Sequence, residues 1–279
     1  MRRRERFQAA LLVAPAWLWM TLFFLLPLTV VLAYSFLSKG DYGGVARPAT
    51  LANYLRFLDP LYLRILARSF LMAGASTALC LAIGYPLAYF IALRGGRWKN
   101  SLLFLVVLPF WTSFLVRTYA WIFLLRDTGL INTVLIRLGW ISVPLPLLYN
   151  DGAVLVGLVY GFLPLMVLPL YASIERLDRS LLEAAADLGA SPAVRLLRVT
   201  VPLTRPGIYA GSILVFISSL GAYITPDLLG GGKSIMIGAL VQNQFTTARD
   251  WPFGSAISLF LMAVVMLALQ FYRRQGEVA

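Results

Sequence analysis

Histidine is absent from all 279 residues, and cysteine occurs once, at Cys80. The first absence removes Ser-His-Asp and Cys-His nucleophile systems, imidazole metal sites and the side chain most often used as a base near neutrality. The single cysteine excludes an intrachain disulfide and any cysteine-cluster metal site. Charge is also scarce: 13% of residues are charged, against about a quarter in an ordinary globular chain. Apolar residues take their place, at 60% of the chain with a mean hydropathy of +0.80. Too few polar side chains remain to cover a wet surface. The composition specifies an integral membrane protein.

Charged residues divide the chain into uncharged blocks at 7–38, 69–93, 100–125 (interrupted by Arg117), 152–174, 206–226 and 251–272. Each is long enough to span, since about 20 apolar residues cross a hydrocarbon core as a helix. The expected fold is therefore all-α and integral to the membrane, with six transmembrane helices, because backbone polar groups in lipid need internal partners. The alternating strands of a closed barrel do not occur. The apolar stretch 129–149 contains Arg137, Gly139, Pro144 and Pro146, and reads as an external loop that partly dips toward the membrane, a seventh span being the alternative.

Charge placement orients the bundle. With the N-terminus inside, the internal segments are 1–6, 94–99, 175–205 and 273–279, and Lys/Arg are more than twice as dense there as in the external segments 39–68, 126–151 and 227–250. By the positive-inside rule both termini are cytoplasmic. The net charge of +12 is then mainly an orientation signal, and no nucleic-acid footprint is expected without a soluble domain to carry it. The basic residues at 2–4 precede an uncharged run far longer than the roughly 7–15 residues of a signal-peptide core, so this segment reads as an uncleaved first helix. With no low-complexity stretch or long linker, residues 1–279 read as one integral domain.

Within the spans, Pro15, Pro27, Pro86, Pro109, Pro164 and Pro169 each remove a backbone donor and favour a kink. Gly157 with Gly161, and Gly207 with Gly211, have the spacing that lets helix backbones approach closely, either within the chain or at a subunit interface. Arg117 is the one ionisable residue well inside a span and is a functional candidate for that reason. Asp127 or Asp227 could neutralise it. The same span carries Phe110, Trp111, Tyr119, Trp121 and Phe123, which could line a pathway for a cation or anchor at the interface. Phe110, Trp111, Arg117 and Tyr119 are the candidate pathway or gate. Gly232-Lys233-Ser234 imitates the end of a phosphate-binding loop, but the pattern requires glycine where Asp227 stands. Energy has to come from a gradient or a partner.

The internal segment 175–205 has a helical grammar of its own. Ser180 and Glu183 fit a capping box, and Leu181, Leu182, Ala185 and Leu188 fall on one helical face. Gly189 suits a left-handed stop. Ser191 and Pro192 suit the start of a second short helix carrying Arg195 and Arg198, with Val201 and Pro202 ending it. Such a pair could insert into a partner's groove or lie flat among headgroups.

Glu183-Ala184-Ala185, then Gly189, then Val199-Thr200-Val201-Pro202 resemble the EAA loop of binding-protein-dependent ABC importer permeases, with Val199 and Val201 replacing the family's Ile and Leu. Five further stretches resemble one branch of that family, the first permease subunit of spermidine/putrescine importers. They are Asn53-Tyr54, Asp59-Pro60-Leu61-Tyr62, Leu108-Pro109-Phe110-Trp111-Thr112, Leu229-Gly230-Gly231 and Trp251-Pro252-Phe253-Gly254. The resemblance implies a type I importer fold with the single permease domain in the bacterial inner membrane. It also implies an ATPase-coupling loop formed by Leu181, Leu182, Glu183, Ala184, Ala185, Leu188 and Gly189. The implied partners are two ABC ATPase subunits, a second homologous permease and an extracytoplasmic solute-binding protein. No cofactor and no catalysis belong to this chain, ATP hydrolysis falling to the partner. Polyamine is the implied cargo. Because the six blocks contain no carboxylate, recognition is expected mainly in the binding protein. Another small polar solute, such as an organic amine or phosphonate, is the alternative cargo. A membrane enzyme would need clustered acid/base groups, and a passive channel a filter-like segment.

Overall fold

The computed structural model describes residues 12–276. The basic cluster at 2–4, the start of the first expected span and the tail at 277–279 lie outside the described residues. The backbone groups into two compact units, one from residues 12–63 and 241–264, the other from residues 64–240 and 265–276.

In the first unit, α1 (Leu12–Ser35) widens into a π turn at Thr21–Leu25, two residues ahead of Pro27. A proline ring collides with the carbonyl four residues back, and the wider turn moves that carbonyl aside. A hairpin follows, β1 (Leu37–Lys39) antiparallel to β2 (Val45–Ala49), with Lys39 opposite Val45. The short α2 (Ala52–Arg56) is tied to the end of α1 by side chains. Asn53 Nδ2 donates to the carbonyls of Ser35 (2.9 Å) and Leu37 (2.8 Å), and Tyr54 Oη to Ser35 Oγ (2.8 Å). Asp59 accepts from the Leu61 N–H at 2.8 Å and so caps α3 (Pro60–Arg94).

In the second unit, residues 100–125 do not form the continuous helix expected of them. α4 (Lys99–Val107) gives way to a 3₁₀ turn at Leu108–Trp111, Thr112 and Ser113 are extended, and α5 (Phe114–Leu125) starts afresh. Pro109 supplies no donor to continue α4. Eight residues of the expected external loop are also helical, as α6 (Leu130–Arg137). Asn132, fully buried, closes the rest onto it: its Nδ2 donates to the Leu145 carbonyl (3.0 Å) and its Oδ1 accepts from the Leu145 N–H (2.9 Å).

The axis of this unit is α7 (Asp151–Glu175), in which Val154, Leu158, Met166, Val167, Leu170 and Ile174 are wholly buried. Two short helices follow, α8 (Arg179–Asp187) and α9 (Pro192–Leu203), and a 70° bend leads into α10 (Arg205–Leu220). α9 repeats the device of α1, a π turn at Leu196–Thr200 two residues before Pro202, so Pro202 widens the helix without ending it. α10 lies along α7. A Cβ on Gly207 would come within 2.5 Å of Ser173 Cβ, and one on Gly211 within 2.7 Å of Met166 Sδ. Gly157 is similarly closed by Thr225 and Leu229. Both glycine pairs thus serve packing inside the chain. Hydroxyl pairs add Ser76–Ser219 (2.8 Å, buried) and Tyr85–Thr204 (2.9 Å, half-buried) between α3 and the α10 region. The chain then forms α11 (Ile224–Gly230), α12 (Ile237–Thr246) and α13 (Trp251–Gly276).

Among the described residues four helices are long and apolar enough to cross a membrane: Leu12–Ser35, Pro60–Arg94, Phe114–Arg137 taken across its short break, and Asp151–Glu175. The bent pair Pro192–Leu203 and Arg205–Leu220 makes a fifth, and the shorter apolar Trp251–Leu267 stands where a sixth is expected. Among the described residues the spans thus number four, or five with the bent pair taken as one.

Candidate functional site

The segment joining α7 to α10 is built to hold its shape while exposed. α8 begins at Asp178, whose carboxylate accepts the Ser180 N–H at 2.9 Å. That backbone hydrogen bond holds the exposed Asp178 carboxyl below the usual carboxylate range. The expected Ser180–Glu183 capping box is thereby displaced: Asp178, two residues earlier, takes the capping position, and Glu183 is an exposed residue in the second turn. The far end closes as a Schellman motif. Gly189 has φ +79° and donates to the Ala186 carbonyl (2.9 Å), and Ala190 donates to that of Ala185 (3.0 Å). Ser191 Oγ accepts the Val194 N–H at 3.4 Å and Pro192 opens α9, as the sequence implied.

The expected apolar face divides lengthwise. Leu182 and Ala185 are half-buried, whereas Leu181 is 46% and Leu188 89% exposed, with Ala184 exposed between them. Positions i, i+3 and i+7 share a helix side, so Leu181, Ala184 and Leu188 form a bare ridge on a helix capped at both ends. At its root, Leu177, Asp178 and Leu181 line an open groove of about 520 Å³ shared with Ser173, Leu203 and Gly207. Nearby, Lys99 bonds Glu175 and stands 5.2 Å from the Tyr171 ring centroid. The bond to Glu175 holds the Lys99 ammonium above its ordinary value.

The pathway candidates are brought together only in part. Arg117 is half-buried, its guanidinium carbon 5.5 Å from the Phe110 ring and 5.4 Å from that of Phe114. Among the described residues it makes no ion pair, so neither Asp127 nor Asp227 neutralises it, and its Nε and Nη1 are buried without a hydrogen-bond partner. The guanidinium lies instead against two rings, Phe110 before the break at Thr112 and Phe114 after it. Trp111 is 76% exposed and meets Phe104 edge-on at 5.8 Å, while Tyr119 is 45% exposed.

Two ionic clusters were invisible in the sequence. Arg56 Nη1 lies 2.7 Å from Asp250 Oδ2, and the guanidinium covers the Phe253 ring at 4.3 Å. Arg68 bonds Asp151 (2.5 Å), Ser234 Oγ (3.1 Å) and the Lys233 carbonyl (2.7 Å), so the Gly-Lys-Ser turn is a structural tie. Local signals existed for the partners alone: Asp250 before Trp251-Pro252 is a helix-start pattern, and Asp151 lies in the first turn of α7.

A bundle of interrupted apolar helices, with a capped amphipathic pair bared between two of them, defines a membrane transport subunit driven by a partner. The chain belongs to the family of binding-protein-dependent transport system inner membrane components, which matches residues 84–275, and it is a non-catalytic type I ABC importer permease. It is 43% identical over 278 residues to the spermidine/putrescine transport system permease protein PotB of Salmonella typhimurium (strain SL1344), covering 100% of this chain and 96% of the relative. The protein of the same description from Escherichia coli (strain K12) is 45% identical over 260 residues, covering 93% of this chain and 94% of the relative. A chain of the bacterial alginate ABC transporter, crystallised with its alginate pentasaccharide-bound periplasmic protein, superposes with a TM-score of 0.78 at 16% identity. It covers 98% of this chain and 95% of its own length, a likeness of fold.

Proposed function

We propose that this permease carries polyamines, spermidine and putrescine, inward across the inner membrane as one permease domain with both termini cytoplasmic. The observation that carries the reading is the likeness, over essentially the whole chain, to spermidine/putrescine permeases. Its partners are two ATPase subunits, a second homologous permease and an extracytoplasmic binding protein.

The ridge Leu181–Ala184–Leu188, with Leu182, Glu183, Ala185 and Gly189 shaping it, docks into the ATPase. A push on α8 travels through α9 to the 70° elbow at Thr204, whose hydroxyl is 2.9 Å from Tyr85 on α3. The elbow thus loads two spanning helices at once, which biases a two-state equilibrium between inward- and outward-open bundles. Phe110, Trp111 and Tyr119 offer ring faces to a passing ammonium, and Arg117, with its own charge of the same sign, sets a gate.

The test is uptake of labelled spermidine and putrescine by cells that lack their own polyamine import and express this chain with its partners. ATP-dependent accumulation, competed by unlabelled polyamine and not by phosphonate, is the expected result. Absence of uptake from a correctly assembled complex would refute the cargo.

A further inference from the structure

We propose that the groove between α3, α4 and α7 binds an anionic phospholipid, one acyl chain lying in the groove and the phosphate held by Arg94 and Arg97 at its mouth. In the sequence Arg94, Arg97 and Lys99 separate the second uncharged block from the third. In the fold they gather around the short turn Gly95–Trp98, which joins the end of α3 to the start of α4. Both helices then meet α7. Gly84 brings α3 onto it, since a Cβ there would lie 3.1 Å from Met166 Cγ, and α4 packs on it through Val106.

The three helices do not close completely. A groove of about 290 Å³ remains, lined by Leu87 and Ile91 of α3, Leu102 and Val106 of α4, and Leu163 of α7. It reaches Pro109, where α4 has given way to the 3₁₀ turn. From Leu102 to Pro109 is seven residues, about 10 Å at helical rise. Ile91 is wholly buried, while Leu105, also in the lining, is 59% exposed. The groove is therefore deep on one side and open on the other.

Its mouth is cationic. Arg94 follows Ile91 by three residues and Lys99 precedes Leu102 by three, so the charges begin about 4.5 Å of helical rise beyond the apolar lining. Lys99 is engaged by Glu175. Arg94 and Arg97 are exposed, and neither makes an ion pair among the described residues. No Asp or Glu occurs between 94 and 104. Trp98 is 60% exposed, with the Arg97 guanidinium carbon 5.7 Å from its ring centroid, and tryptophan beside arginine marks the headgroup level of a bilayer.

Two chemistries thus stand one helical turn apart, and a single ligand has to satisfy both. A soluble anion would use the arginines and leave the groove bare. An apolar helix would fill the groove and leave the arginines unpaired. A phospholipid does both, its phosphate matching the planar guanidinium fork. A headgroup with its own ammonium would bring a cation to two arginines, so the occupant is a lipid of net negative charge.

The experiment uses the assembled importer, purified in detergent and examined by native mass spectrometry with phosphatidylglycerol and phosphatidylcholine of matched chains. Arg94→Gln with Arg97→Gln is expected to lower phosphatidylglycerol retention about tenfold or more and to leave phosphatidylcholine unchanged. Leu102→Trp, which fills the groove and keeps the charges, is expected to lower phosphatidylglycerol retention several-fold. Equal retention by the wild type and the double variant overturns the proposal. So does an unchanged Leu102→Trp, or glycerol phosphate competing as strongly as the lipid. A second measurement needs no variant. In proteoliposomes, phosphatidylglycerol with a photoreactive diazirine in its acyl chain is expected to label the segments 87–91 and 102–109 ahead of other spans, and unlabelled phosphatidylglycerol to suppress this more than phosphatidylcholine does. Labelling spread evenly over the exposed helices, or a second permease labelled in place of these segments, overturns the site.

Discussion

Arg56 and Asp250 meet across 194 residues of chain, with Nη1 2.7 Å from Oδ2. The Asp250 side chain is almost wholly buried at 4% exposure, while that of Arg56 is 47% exposed. Asp250 also accepts the Phe253 N–H at 3.3 Å with its other oxygen, so one carboxylate caps α13 and anchors α2. Burial pulls the Arg56 guanidinium down, and the hydrogen bonds to Asp250 and Tyr62 outweigh it and hold the group above its ordinary value.

Loss of that carboxylate strands two donors. Asp250→Ala is expected to cost roughly 2 kcal/mol, a charged hydrogen bond discounted for the half-exposed Arg56, and Arg56→Lys about half as much because the ring cover over Phe253 goes too. Thermal unfolding in detergent measures both. No change in Asp250→Ala would show the tie to be ornamental.

Glycine substitutions should separate tight from yielding contacts. A Cβ at Gly207 meets the Pro169 carbonyl at 2.8 Å as well as Ser173, and backbone cannot step aside. Gly207→Ala is expected to destabilise by about 1–3 kcal/mol. At Gly161 the nearest atom is a Phe114 ring carbon at 3.3 Å, which can pivot, so Gly161→Ala should be close to neutral.

Around Gly189 nothing lies within 4 Å, so only its φ of +79° resists a side chain. Gly189→Val should fray the end of α8 and weaken ATPase co-purification and coupled transport while membrane insertion persists; Gly189→Asn, which tolerates the left-handed region, should do much less. Full transport by Gly189→Val would remove the docking role from this turn.

Acid should loosen the start of α8. The folded Asp178 carboxyl is held below its unfolded value, so its stabilisation is complete above the unfolded carboxylate range and fades as pH falls through the folded value. Hydrogen exchange at the Ser180 amide should accelerate in that acid window. In Asp178→Asn, a comparable cap that does not titrate, the acceleration should vanish.

Arg117 offers a contrast between chain and complex. Two of its nitrogens are buried and unpartnered, so Arg117→Met should stabilise the isolated chain by about 1 kcal/mol. If the charge gates transport, the same variant should leak or slow uptake in the assembled importer. A variant silent in both assays would make Arg117 a tolerated residue.

Much of the local geometry of α8 and α9 was legible in the chain. Gly189, Ser191 and Pro192 act locally, through their own φ angles and nearest N–H groups, so their roles were readable. The choice of Asp178 over Ser180 as cap was not, because both patterns are chemically sound and the exit of α7 decides between them. Nor could local pattern tell that the 100–125 run breaks at Thr112, or that Arg117 would face rings. Hydropathy registers how apolar a stretch is, and carries no record of where a turn sends it next.

By itself, then, the sequence determined the solvent, the helical class, the short helix pair between α7 and α10 and the transport family, since each follows from composition or from contacts a few residues apart. Tertiary structure alone decided which distant charges meet and which glycines are pressed against neighbours. Those outcomes depend on helix crossings, and a crossing brings together residues whose separation along the chain says nothing of their separation in space.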